Sequence, residues 1–136
     1  MRKLLHSETD VCTLLDINPS TLLYAKLPFV KIGRRYIYYY YEDIKQWVES
    51  KALNNATVPE ELMGPQEEVI VGIDRLALML NLPYRYVFTR IIKQGKIPYE
   101  ILNGKYYFKM QDVKTWILSQ RGVAKTKKEK VFREVG

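Results

Sequence analysis

A chain of 136 residues that is 47% apolar and 12% aromatic has enough buryable surface for two small cores and too much for a disordered segment. Its 22 Lys and Arg against 15 Asp and Glu leave a formal charge of +7, which favours polyanionic partners: nucleic acid or an anionic surface. A single cysteine, Cys12, and a single histidine, His6, exclude disulfide frameworks, Cys/His zinc sites and Ser-His or Cys-His catalysis.

No Gly-rich phosphate loop or carboxylate cluster stands out, so neither an enzyme nor a cofactor is expected. No apolar run reaches the roughly 20 residues that cross a bilayer, and the expectation is a cytoplasmic, nucleoid-associated protein without membrane contact.

Ser7-Glu8-Thr9-Asp10 reads as the cap of a first helix with Val11, Leu14 and Leu15 on one face. Cys12 falls on this helix as a small buried residue, and His6 before it as an exposed one. Asp16-Ile17-Asn18-Pro19 breaks the pattern and places Pro at the start of a short second helix, with Leu22 and Leu23 inward and Ser20, Thr21 and Tyr24 outward. Leu27-Pro28 then forces extended chain. A hairpin follows: strand 29–32, a Gly33-Arg34-Arg35 turn that carries Lys31 beside it, and strand 36–41. The tyrosines of that last strand are expected to pack on alternate faces. Asp43 next caps a helix whose Ile44, Trp47 and Val48 share one face.

Residues 51–68, with Asn54-Asn55, Pro59, Gly64-Pro65 and four glutamates, read as a linker containing at most one helical turn. Asp74 then precedes Leu76, Met79 and Leu80 at helical spacing, and Asn81-Leu82-Pro83 breaks that helix. Residues 84–94 form the next helix, burying Val87, Phe88, Ile91 and Ile92 and presenting Tyr86, Thr89, Arg90 and Lys93. Ile97-Pro98 leads into strands 99–102 and 106–109 around Asn103-Gly104, the strongest short hairpin signal. Asp112 caps a last helix with Val113, Trp116 and Ile117 inward, and 121–136 is a basic polar tail.

The order is therefore played twice: helix, turn, helix, hairpin, helix. The endings Asp43-Ile44-Lys45-Gln46-Trp47-Val48 and Asp112-Val113-Lys114-Thr115-Trp116-Ile117 are 69 positions apart. The fold class expected is mainly α with small two-stranded antiparallel wings, as two tandem winged helix-turn-helix modules. Module 1 spans 1–50, the linker 51–68, module 2 69–120 and the tail 121–136.

Both copies resemble the excisionase-type winged helix-turn-helix of the MerR superfamily. The resemblance rests on a hydrophobic-Pro step (Leu27-Pro28, Ile97-Pro98), a small wing (Ile32-Gly33-Arg34-Arg35-Tyr36, Asn103-Gly104-Lys105-Tyr106) and an Asp-led helix with a Trp. It implies that the second helix enters a DNA major groove while the wing lies by the backbone or minor groove. Excisionases of mobile elements, transcription regulators and DNA-recognition parts of phage packaging and segregation proteins are built this way.

Duplex binding needs cations along the phosphates and a few side chains at base edges. The residues expected to touch DNA are Ser20, Thr21, Tyr24, Lys31, Arg34 and Arg35 in module 1, and Arg85, Tyr86, Thr89, Arg90, Lys93 and Lys105 in module 2, with Arg90 foremost for base readout. Module 1, whose second helix is short and uncharged, is expected to bind mainly through its wing. The partners expected are double-stranded DNA, a recombinase or other DNA-processing protein and, as an open option, a second copy of the chain. The alternative function is a protein-interaction or self-association scaffold, such as a DNA packaging or segregation adaptor, in which one module has lost DNA readout.

Overall fold

The computed structural model describes residues 2–51 and 58–122. Part of the linker (52–57) and the tail from 123 onward lie outside the described residues, so the tail reading concerns only its first two positions here. The architecture is mixed, with helices packed on two small antiparallel sheets.

The first unit runs β1 (Leu5–His6), α1 (Glu8–Leu15), α2 (Pro19–Ala25), β2 (Phe29–Ile32), β3 (Tyr36–Tyr40) and α3 (Tyr41–Lys51). A 3-10 turn at Glu60–Leu62 follows. The second unit runs β4 (Val69–Val71), α4 (Ile73–Leu80), α5 (Tyr84–Tyr86) continuing as a π-helical stretch (Val87–Ile92), β5 (Glu100–Leu102), β6 (Lys105–Lys109), α6 (Met110–Ser119) and a closing β7 (Arg121–Gly122).

Local chemistry accounts for the boundaries. The Ser7 hydroxyl accepts from the Asp10 amide at 3.1 Å and opens α1. Asp16 and Asn81 end α1 and α4 at equivalent places, both in the left-handed conformation (φ 56° and 59°) that short polar side chains tolerate. Asn103 and Gly104 both have positive φ, as a tight hairpin turn requires.

Several expectations need correction. Asp43 and Asp112 lie inside the first turns of α3 and α6 rather than capping them, and Tyr41 begins α3 instead of ending β3. Neither hairpin is only two-stranded: β1 pairs with β3 and β4 with β6, so each unit has a leading strand that the sequence reading missed. Two- and three-residue strands are too short for an alternation pattern to register. Leu23 is 68% exposed, because the inward side of the seven-residue α2 is taken by Leu22 and Ala25. His6 is buried, because β1 carries it into the sheet opposite Tyr39.

The largest correction concerns how the units relate. Sheet one has the order β1-β3-β2-β7, so the strand that follows the second unit closes the edge of the first; Arg121 and Gly122 belong to that sheet and not to a tail. Arg121 also donates to the buried carboxylate of Asp43, through Nε to Oδ2 at 3.3 Å and through a guanidinium amine to Oδ1. Burial raises the Asp43 carboxyl above its ordinary value, and Arg121 opposes that rise.

One main core crosses the units: Leu4, Leu5, Val30, Ile32, Tyr38 and Tyr40 pack with Leu76, Leu80, Val87, Ile91, Phe108 and Val113. A second cluster (Val11, Leu22, Leu27, Ile44, Val48, Leu62) lies within the first unit, with Tyr39 packed on it. The tyrosine-rich β3 thus has a core on each face. Tyr36, Tyr38 and Tyr40 face the second unit, while Tyr39 faces the helices of its own.

Polar contacts fix the same junction. The Leu4 amide donates to the Met79 carbonyl at 2.8 Å, the Tyr38 hydroxyl to the Asn81 carbonyl, and Lys3 Nζ to Asn81 Oδ1 at 3.3 Å. Lys114 Nζ donates to the Tyr41 hydroxyl at 3.1 Å.

The buried His6, opposite Tyr39 on the face toward the first unit's own helices, makes stability pH-sensitive. Burial holds its imidazole below the ordinary 6.5, the Asp10 carboxylate opposing, and Nε2 has no partner among the described residues. A depressed histidine leaves the unfolded chain as the better proton binder, so stability is complete above about pH 6.5 and falls as pH drops through that value toward the folded-state value. Urea midpoints between pH 7.5 and 5.5 are expected to fall for the natural chain and to fall less for His6→Phe; equal slopes would contradict this assignment.

Candidate nucleic-acid interface

The second unit's helix that runs from Tyr84 through the π-helical stretch is where the two halves of the molecule meet the surface. Val87, Ile91 and Ile92 are buried, and the wider i to i+5 turn, seen in the Lys93 amide bonding the Phe88 carbonyl at 2.9 Å, brings Ile91 and Ile92 inward together. Arg85, Thr89, Arg90 and Lys93 are left exposed. The Thr89 hydroxyl donates back to the Arg85 carbonyl at 2.8 Å, so its methyl and lone pairs face outward. Lys93 Nζ sits 5.8 Å from the Phe88 ring centroid.

The hairpin turn of the first unit packs directly on this helix. Gly33, at φ +64°, leaves no room for a side chain: a Cβ there would stand 2.5 Å from the Tyr86 hydroxyl oxygen. Tyr36 supports the contact edge-on to Tyr86, with ring centroids 5.1 Å apart. Tyr86, expected to point outward, is half-buried against Gly33 and Tyr36, with only part of its side chain accessible.

Arg34 and Arg35, next along the turn, are exposed beside the helix that carries Arg85 and Arg90. The second hairpin turn flanks the same helix from elsewhere. Gly104 and Lys105 line one groove with Tyr84 and Asp74. The first turn thus meets this helix at Tyr86, and the second lies across a groove from its first residue, Tyr84.

Arg34, Arg35, Arg85, Arg90, Lys93 and Lys105 have no carboxylate partner among the described residues, whose ion pairs are Arg2–Glu60, Arg75–Glu67 and Arg121–Asp43. Lys31 is exposed on β2 beneath the first turn, its amide donating to the Gln120 carbonyl at 3.3 Å. Ser20, Thr21 and Tyr24 are also exposed, Tyr24 at 80%, but they lie on α2, which is anchored by Leu22 in the second core cluster rather than at the hairpin–helix junction.

No protein-family model matches the chain. Neither a curated protein nor a solved structure is found similar to it, so the reading rests on residues and geometry. No group of three or more His, Cys, Asp or Glu that could hold a metal occurs among the described residues, and none of their helices is long and apolar enough to cross a membrane.

Gly33 and Tyr36 were missed as positioning residues. The signal was available only in part: a glycine between a strand and two arginines marks a turn, but nothing local says that the turn abuts another unit.

Proposed function

We propose that the protein binds double-stranded DNA, as a regulatory or architectural factor of the excisionase or transcription-regulator kind, through two winged helix-turn-helix units joined into one rigid reader. The observation that carries this reading is the exposed side of the helix holding Arg85, Thr89, Arg90 and Lys93, which the first hairpin turn meets at Tyr86 and the second approaches at Tyr84; the six cations of the helix and the two turns have no carboxylate partner among the described residues. A helix flanked by basic turns suits a major groove bordered by two phosphate backbones. Arg90 and Lys93 would reach base edges, while Arg34, Arg35 and Lys105 would neutralise phosphates.

The spacing of the contacts is set by the shared core rather than by linker reach, so a compact site is expected in place of two tethered ones. A recombinase or other DNA-processing protein and a second copy of the chain stay as candidate partners of that complex.

Gel shifts across a salt series test the reading. If six cations engage phosphates or base edges on an ordinary duplex, log K is expected to fall with log salt at a slope of roughly −5. A slope near zero, or no shift at low salt, would exclude duplex binding by this surface.

The scaffold reading keeps one observation of its own: Leu23 and Tyr24 stand side by side on α2, 68% and 80% exposed. Light scattering over a concentration series with and without duplex separates the readings, since a DNA-indifferent oligomer belongs to the scaffold alone.

A further inference from the structure

Superposing the two units by their order exposes a difference between their sheets. In the first, β2 has β3 on one side and β7 on the other, giving β1-β3-β2-β7. In the second, the equivalent strands give β4-β6-β5 and stop, so the outer edge of β5 has no strand against it among the described residues. The carboxylate that seats β7 in the first unit has a counterpart near this open edge, and a second carboxylate is added there. Val30, which lies opposite Arg121 across β2 and β7, aligns with Glu100. Asp43, which binds Arg121, aligns with Asp112, which has no side-chain partner among the described residues.

Glu100 and Asp112 line one cavity of about 330 Å³ together with Leu102, Tyr107 and Val69. That apolar floor matches the face by which the first unit packs, but here Val69 and Leu102 are exposed, at 45% and 55%.

We infer that the open β5 edge is a docking site for an extended, arginine-bearing segment of a partner protein, added antiparallel to β5 with its arginine opposite Glu100 and bound to Asp112. Main-chain bonds along a bare strand edge supply affinity, and alternate side chains supply choice. Two carboxylates lining one cavity outnumber its single cation, Lys109, and favour a cationic side chain, and a guanidinium takes a carboxylate bidentately. The inference does not depend on duplex binding, since none of these residues belongs to the proposed DNA surface.

The probe is a synthetic peptide of residues 118–124 (Leu-Ser-Gln-Arg-Gly-Val-Ala), which carries the strand that already occupies the first unit. It is titrated into isotopically labelled full-length protein by amide NMR. Saturable shifts are expected at residues 99–102. Asp112→Asn in the protein, or replacing the peptide arginine by glutamine, is expected to weaken binding by about tenfold, and both together by little more than either. The peptide variant reads the pairing without altering the fold of the protein.

Absence of shifts at 99–102, shifts confined to 29–32, or shifts indifferent to both changes would overturn the inference. So would a chain that already self-associates through β5 and becomes monomeric on Glu100→Arg, because a second copy would then be the occupant.

Discussion

Changing Arg34, Arg35, Arg90 and Lys93 together to glutamate is expected to remove duplex binding from the gel, a loss of at least about a thousandfold, or roughly 4 kcal/mol. All four are exposed, and none has a carboxylate partner among the described residues, so the change converts attraction to repulsion without breaking an ion pair. Among the described residues the polar contact given up is the Lys93 ammonium over Phe88, worth up to about 1 kcal/mol at an exposed site. Circular dichroism and tryptophan emission should therefore match the natural chain. Single changes divide the labour: Arg34→Ala should weaken all duplexes about equally, and Arg90→Ala should also blur sequence preference. A folded quadruple variant that still shifts DNA would refute the assigned surface.

The second large effect concerns Leu4. Its side chain is fully buried in the core that spans both units, and its backbone bridges them by donating to Met79 and accepting from Tyr41. Leu4→Ala is expected to cost about 3 kcal/mol, the middle of the range for removing a core leucine. Because Trp47 belongs to the first unit and Trp116 to the second, each can be kept as the sole reporter by changing the other to Phe. Both reporters should show one common urea transition, and Leu4→Ala should lower both midpoints alike. Movement of only one transition would mean that the units unfold separately.

The elements with strong local chemistry were legible in the sequence. Ser7 as a cap, Leu76, Met79 and Leu80 as a buried stripe, and Asn103-Gly104 as a hairpin turn each follow from a single helix or turn rule. What escaped was the consequence of non-local pairing. The tyrosines of β3 do alternate between faces, but that one of those faces packs on the second unit is not encoded locally. Arg121 reads as part of a basic run until its partner Asp43, 78 positions away, is known. His6 gives no periodic signal in a strand of two residues. The exposed cations of the candidate interface were visible as residues, but their gathering depends on the Gly33–Tyr86 contact, which no spacing within either unit encodes.

The strand exchange that ends with Gly122 also governs the order of events at birth. Synthesis delivers the first unit early, yet its sheet lacks an edge, and Asp43 lacks its guanidinium, until residues 121 and 122 emerge from the ribosome. Leu4 and Leu5 wait for α4 and β6, made earlier but still far along the chain, so this topology delays completion of the native state until nearly all of the described chain is made. Pairings this distant in sequence raise contact order, and refolding should be slow for a protein of such modest size.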